Sequence, residues 1–108
     1  MSVITYNKLV RDKIPEIIKE DNKECSVRIL DNDEYLSMVD AKLDEELAEY
    51  HKDKNLEELA DILEVLYAVT KARGFSLEEL EACRAEKAEK RGTFEKKIFL
   101  ENVREGDK

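Results

Sequence analysis

Three features of this sequence predict an all-α fold built as an antiparallel helical bundle. Apolar residues recur at steps of three and four. Capping residues stand before those stretches, each followed three positions later by Glu. The composition, 42% hydrophobic with 43% charged, is that of amphipathic helices with one apolar stripe and a charged outer face.

The helix starts are Asp31-Asn32-Asp33-Glu34, Asn55-Leu56-Glu57-Glu58 and Ser76-Leu77-Glu78-Glu79. From the first, Leu36, Val39, Leu43, Leu47 and Tyr50 mark an apolar stripe that carries a helix to about His51. Lys52-Asp53-Lys54 is a short connection, which makes the next helix an antiparallel neighbour. That helix spans about Leu56 to Arg73, with Gly74 placed for a left-handed cap. A third runs from about Leu77 to Lys90 and stops near Gly92. Asp12 to Glu20 reads as a short helix with Pro15 in its first turn, where a missing N–H costs nothing. Cys25 to Leu30 alternates and is partly β-branched, so it is a candidate strand, with Phe94 to Val103 as its partner in a small accessory β-ribbon.

The chain of 108 residues suits a single domain over 1–108. A net charge of −8 disfavours nucleic-acid binding, which calls for a basic surface. No apolar run is long enough to span a membrane, and no signal-peptide pattern opens the chain. Cys25 and Cys83 are isolated, with no CxxC and no nearby His, so reduced and partly buried thiols of a cytoplasmic protein are expected. His51, the only histidine, falls at the end of an acidic helix, where a cationic ring complements the helix dipole.

Chemistry concentrates in Glu45-Glu46-Leu47-Ala48-Glu49 and Glu58-Leu59-Ala60-Asp61. Spacings of three and four put each set on one side of its helix, and antiparallel packing brings the two sets together. Converging carboxylates repel one another unless a cation sits among them. Asp61 lies in a stretch, Leu59 to Val69, whose only other charge is Glu64. So apolar a helix is expected at the centre of the bundle, with Asp61 buried and in need of a partner. Oxygen-only ligands select a hard divalent ion, and Mg²⁺ leaves positions for water and phosphates, with Mn²⁺ as its substitute. The plain alternatives are a solvated acidic face and, for Glu58, a capping-box role.

Charge is unevenly spread. Asp33 to Glu64 carries −9, whereas Lys8 to Lys13 carries +2 and Arg84 to Lys97 carries +3. Lys8, Arg11 and Lys13, with Arg84, Lys87, Lys90 and Arg91, are therefore candidate phosphate ligands, although Glu86 and Lys90 also form an i,i+4 pair. Arg91-Gly92 would allow close backbone approach to a ligand. No Gly-rich phosphate loop exists, which excludes a P-loop enzyme. Tyr50, Tyr67 and Phe94 could stack on a base, though core packing is the expected role of each.

EExxE followed by ExxD on paired helices resembles the MazG-like all-α NTP pyrophosphohydrolase superfamily, which includes dimeric dUTPases and phosphoribosyl-ATP pyrophosphohydrolase. The flanking segments, Tyr6 to Pro15, Lys42 to Glu46 and Lys90 to Phe94, resemble its short MazG-like branch. The resemblance implies Mg²⁺-dependent cleavage of a nucleoside triphosphate between its α- and β-phosphates, in a homo-oligomer. It implies Glu46, Glu49, Glu58 and Asp61 as metal ligands, with Glu45 as a further ligand or the group that orients or activates water. The identity of the base, Glu45 or Glu46, stays open. The eight residues between Glu49 and Glu58 are fewer than in many members and imply a tight turn. A role in clearing non-standard nucleotides fits the flanking segments better than phosphoribosyl-ATP hydrolysis in histidine synthesis. A non-catalytic helical interaction module is the alternative from another class.

Overall fold

Local capping chemistry sets the helix boundaries. In the computed structural model, which describes residues 2–106, the Asp31 carboxylate accepts from the Glu34 N–H at 2.9 Å and the Asn55 side chain accepts from the Glu58 N–H at 3.0 Å. These caps open α2 (Asn32–Asp53) and α3 (Leu56–Ala72). The other helices are α1 (Ile14–Glu20), with Pro15 in its first turn, and α4 (Leu77–Arg91). The fold is all-α, and no helix among the described residues is long and apolar enough to cross a membrane.

The candidate ribbon does not form. Neither Cys25–Leu30 nor Phe94–Val103 contains a strand, and Val27, Ile29, Phe94, Ile98 and Val103 are all exposed. Alternation supplies a face but no surface for it to cover, and two short strands without a third element are marginal. Both cysteines are free, as expected, but exposed rather than partly buried.

Two compact units divide the chain, residues 1–77 and 78–108. The first holds α1 to α3, and its helix packing is α2 against α3. Between them only Lys54 and Asn55 intervene. Lys54 turns left-handed at φ 50°, and its N–H donates to the Tyr50 carbonyl at 2.7 Å. At the far end of α3, Gly74 takes φ 91°, its N–H donating to the Lys71 carbonyl and that of Phe75 to the Thr70 carbonyl, both at 3.0 Å. This crossed pair of bonds closes the helix in the conformation glycine tolerates best.

The seam between α2 and α3 is legible in burial. On α2 the half-buried or buried residues Leu36, Val39, Leu43, Glu46 and Tyr50 follow one another at steps of three and four, and Val39 is fully buried. On α3 the matching set is Glu58, Ile62, Val65, Val69 and Ala72. The seam is therefore apolar through most of its length and acidic near the turn. Sequence periodicity gives the α2 position to Leu47. In the structure Leu47 is 45% exposed and the Glu46 side chain only 13%.

Helix α3 is not enveloped. Leu56, Leu59, Leu63 and Leu66 are exposed, in a row separate from the residues that face α2. Asp61 is accordingly half-buried, with 37% of its side chain exposed, rather than deeply buried. In the second unit, α4 carries the expected Glu86–Lys90 pair, at 2.8 Å, and a Glu81–Arg84 pair one turn earlier. It ends at Gly92, where φ is 83°.

Val39→Ala should lower the unfolding free energy by about 2 kcal/mol, and Asn55→Ala by about 1 kcal/mol, each read from urea denaturation.

Candidate metal centre

The acidic end of the seam brings together residues that are far apart in sequence. Glu46 from α2 meets Glu58 and Asp61 from α3, each offering one carboxylate oxygen within 4.8 Å of the other two. A second group, Glu49, Asp53 and Glu58, satisfies the same limit and shares Glu58. The hairpin thus divides the expected ligand set, with Glu46, Glu58 and Asp61 in one group and Glu49 in the other.

Octahedral Mg²⁺ places neighbouring oxygens about 3 Å apart and opposite ones about 4.2 Å apart, given bond lengths near 2.1 Å. The 4.8 Å limit on the carboxylate oxygens lies close to that range. The donor set is entirely hard oxygen and all three residues are half-buried, so the group fits such an ion.

Three cations already stand among these acids. Lys8 donates to Glu45 Oε1 at 3.0 Å and Arg11 to Asp61 Oδ1 at 2.7 Å. Lys42 reaches Glu45 Oε2 at 3.2 Å and Glu46 Oε1 at 3.4 Å. The segment carrying Lys8 and Arg11 is irregular, and these two ion pairs tie it to the hairpin. Lys8 also lies 5.7 Å from the centre of the Tyr6 ring, within cation–π range.

Among the described residues no cation pairs with Glu58 or Glu49. Desolvation, reinforced by the charges of Asp61, Asp53, Glu49 and Glu46, raises the Glu58 pKa above the usual glutamate value. Glu45 goes the other way: desolvation alone would raise it, but hydrogen bonds from Lys8 and Lys42 outweigh that and hold it low. Hydrogen bonding to Glu45 also raises the Lys8 ammonium. One acid of the cluster resists ionisation while its neighbour favours it, and the difference is where the cations sit.

Of the candidate phosphate ligands, Lys8 and Arg11 lie directly against the carboxylates. Lys13 is exposed at the N-terminus of α1. Arg84, Lys87, Lys90 and Arg91 belong to α4 in the second unit. His51 occupies the last turn of α2, as its position implies, with its ring 5.8 Å from that of Tyr50. Tyr50 and Tyr67 are half-buried, but Phe94 is exposed rather than packed in a core.

Sequence reasoning missed two members of the site. Lys42 is three and four residues before Glu45 and Glu46, a spacing that signals such pairs on a helix. Asp53 closes the second group from the last residue of α2, one turn beyond Glu49.

The chain matches no family model and no solved structure. It is similar to an uncharacterized protein of Mycolicibacterium smegmatis, with 54% identity over 41 residues, 38% of this chain and 42% of that protein. The chain thus spans less than half the length of the curated relative it matches.

The raised Glu58 value has a definite sign. Below the ordinary value near 4.5 the carboxyl is protonated folded or unfolded and costs nothing. As pH rises through the raised folded value, ionisation weakens the fold. In chelator-treated protein, Glu58→Gln should therefore melt higher than wild type near pH 7, and the gain should vanish below about pH 4.5.

Proposed function

We propose that this protein is a Mg²⁺-dependent nucleoside triphosphate pyrophosphohydrolase, releasing a nucleoside monophosphate and pyrophosphate. The observation that carries this reading is the convergence of Glu46, Glu58 and Asp61 within 4.8 Å, with Lys8 and Arg11 on the neighbouring carboxylates. A triphosphate needs divalent charge on one side and fixed cations on the other, and this corner of the hairpin provides both kinds of group. The resemblance of the two acidic motifs to the MazG-like superfamily supports the same conclusion.

In this reading Glu46, Glu58 and Asp61 hold the cation, and Glu49 holds it or a second one from the adjoining group. Mg²⁺, or Mn²⁺ in its place, supplies charge stabilisation at the reacting phosphates. Water adds across the α–β phosphoanhydride, the bond to the pyrophosphate leaving group breaks, and a carboxylate takes the water's proton. Glu45 and Glu46 are the candidates for that task. Glu45, held ionised by Lys8 and Lys42, suits orienting the water. Lys8 and Arg11, which lie against the carboxylates, bind phosphate oxygens. The physiological role is clearing of non-standard nucleotides in the cytoplasm.

The working form is a homo-oligomer. Val39 is the one fully buried side chain among the described residues, while Leu56, Leu59, Leu63 and Leu66 leave an apolar row on α3. A second copy laid on that row would bury it. Light scattering at micromolar concentration should give at least twice the 12.6 kDa chain mass. Leu63→Lys should shift the protein toward monomer, and a monomeric wild type would refute the assembly.

A competing account is favoured by the same ion pairs. Lys8, Arg11 and Lys42 already offset part of the acidic charge, as they would in a non-catalytic interaction module. Pyrophosphate release from a nucleotide panel that includes phosphoribosyl-ATP, with and without Mg²⁺, separates the readings. Mg²⁺-dependent turnover that Asp61→Ala lowers by about a thousandfold or more supports the enzyme. Strong preference for phosphoribosyl-ATP would move the reaction to that substrate. No turnover, and no rise in melting temperature with Mg²⁺, would leave the interaction module.

A further inference from the structure

Arg11 stands where a cation is wanted twice. Its guanidinium holds Asp61 Oδ1 at 2.7 Å, and Asp61 is one of the three carboxylates that converge. A carboxylate engaged by a guanidinium is a poorer ligand for a divalent ion, because the two compete for the same lone pairs and charge. Arg11 is also one of two cations that reach this cluster from the irregular N-terminal segment.

We propose that Arg11 is an exchangeable counter-ion, which neutralises Asp61 in the metal-free protein and passes to the substrate's phosphates once a divalent cation takes Asp61. This rests on the metal-dependent reading above and adds an order of events to it. The site charges itself for the nucleotide only after the cation has arrived.

Three observations support the exchange. The pair is accessible, with 56% of the Arg11 side chain and 37% of that of Asp61 exposed, so breaking it costs little. Arg11 precedes α1 in irregular backbone, where a long side chain can swing without disturbing a helix. Only one guanidinium nitrogen bonds Asp61, which leaves the rest of the planar fork for phosphate oxygens. Lys8 differs: its partner Glu45 lies outside both three-carboxylate groups and is also held by Lys42, so a cation that takes Asp61 does not displace Lys8.

Lys13 provides an internal comparison. It carries the same charge two residues away and forms no ion pair among the described residues. Replacing it changes the net charge equally but releases no carboxylate.

The test is calorimetric titration of Mn²⁺ into the chelator-treated full chain, followed by titration of inorganic pyrophosphate at saturating Mn²⁺. Wild type, Arg11→Gln, Arg11→Lys, Lys13→Gln and Asp61→Asn are compared, with helical content checked by circular dichroism. Arg11→Gln should bind Mn²⁺ about two- to fivefold more tightly than wild type, the range of an exposed ion pair, and Lys13→Gln should match wild type. The same Arg11→Gln variant should bind pyrophosphate about tenfold more weakly, from the loss of a charged donor. Arg11→Lys should keep the wild-type Mn²⁺ affinity and lose part of the pyrophosphate affinity. Opposite movement of the two affinities is the signature of exchange. Unchanged or weaker Mn²⁺ binding in Arg11→Gln, an equal gain in Lys13→Gln, or unchanged pyrophosphate binding would overturn it. Equal Mn²⁺ affinity in wild type and Asp61→Asn would instead remove the metal site, and the exchange with it.

Discussion

Carboxylates facing each other across a helix hairpin repel, and the α2–α3 pair has to accommodate that repulsion near its turn. The seam that begins with Leu36 and Val39 changes character at Glu46, which packs opposite Glu58 and Asp61. Apolar burial farther along, centred on Val39, holds the helices close enough for the acids to feel one another. Lys8, Lys42 and Arg11 then relieve part of the strain, two of them imported from the N-terminal segment. Glu58, left without a cation, registers what remains. Apolar packing and charge repulsion are thus set against each other along one seam.

How far the sequence reveals this differs by element. Helix ends were legible because capping is local: Asp31, Asn55 and Gly74 act within a few residues of themselves. The acidic convergence was legible because i,i+3 spacing on two helices joined by a short turn leaves few other arrangements. Seam assignment was harder. Glu46 and Leu47 are adjacent, and polarity favours burying the leucine. Only the packing of α3 decides that the glutamate faces inward. The apparent strands failed for a related reason, since alternation describes a face without supplying what covers it.

The cationic side was the least legible. Lys8 and Glu45 are 37 positions apart, and Arg11 and Asp61 are 50. No periodicity joins an irregular segment to a helix at that distance. Charge asymmetry along the chain indicated that basic and acidic regions existed, but which members meet is a property of the folded chain alone. Lys42 is the exception, since its helical spacing to Glu45 and Glu46 was open to reading.

The two-residue joint at Lys54 and Asn55 has a consequence for how this chain could change its length. Exposed loops normally tolerate insertions. Here, though, the left-handed turn at Lys54 and the cap at Asn55 fix the rotational phase of α3 against α2. One added residue that lengthened the start of α3 would rotate the remainder of that helix by about 100°, carrying Glu58 and Asp61 away from Glu46 and turning other side chains into the seam. The joint behaves as a phase lock. Its length is constrained by side chains several residues away on either side, as well as by the cap and turn it contains.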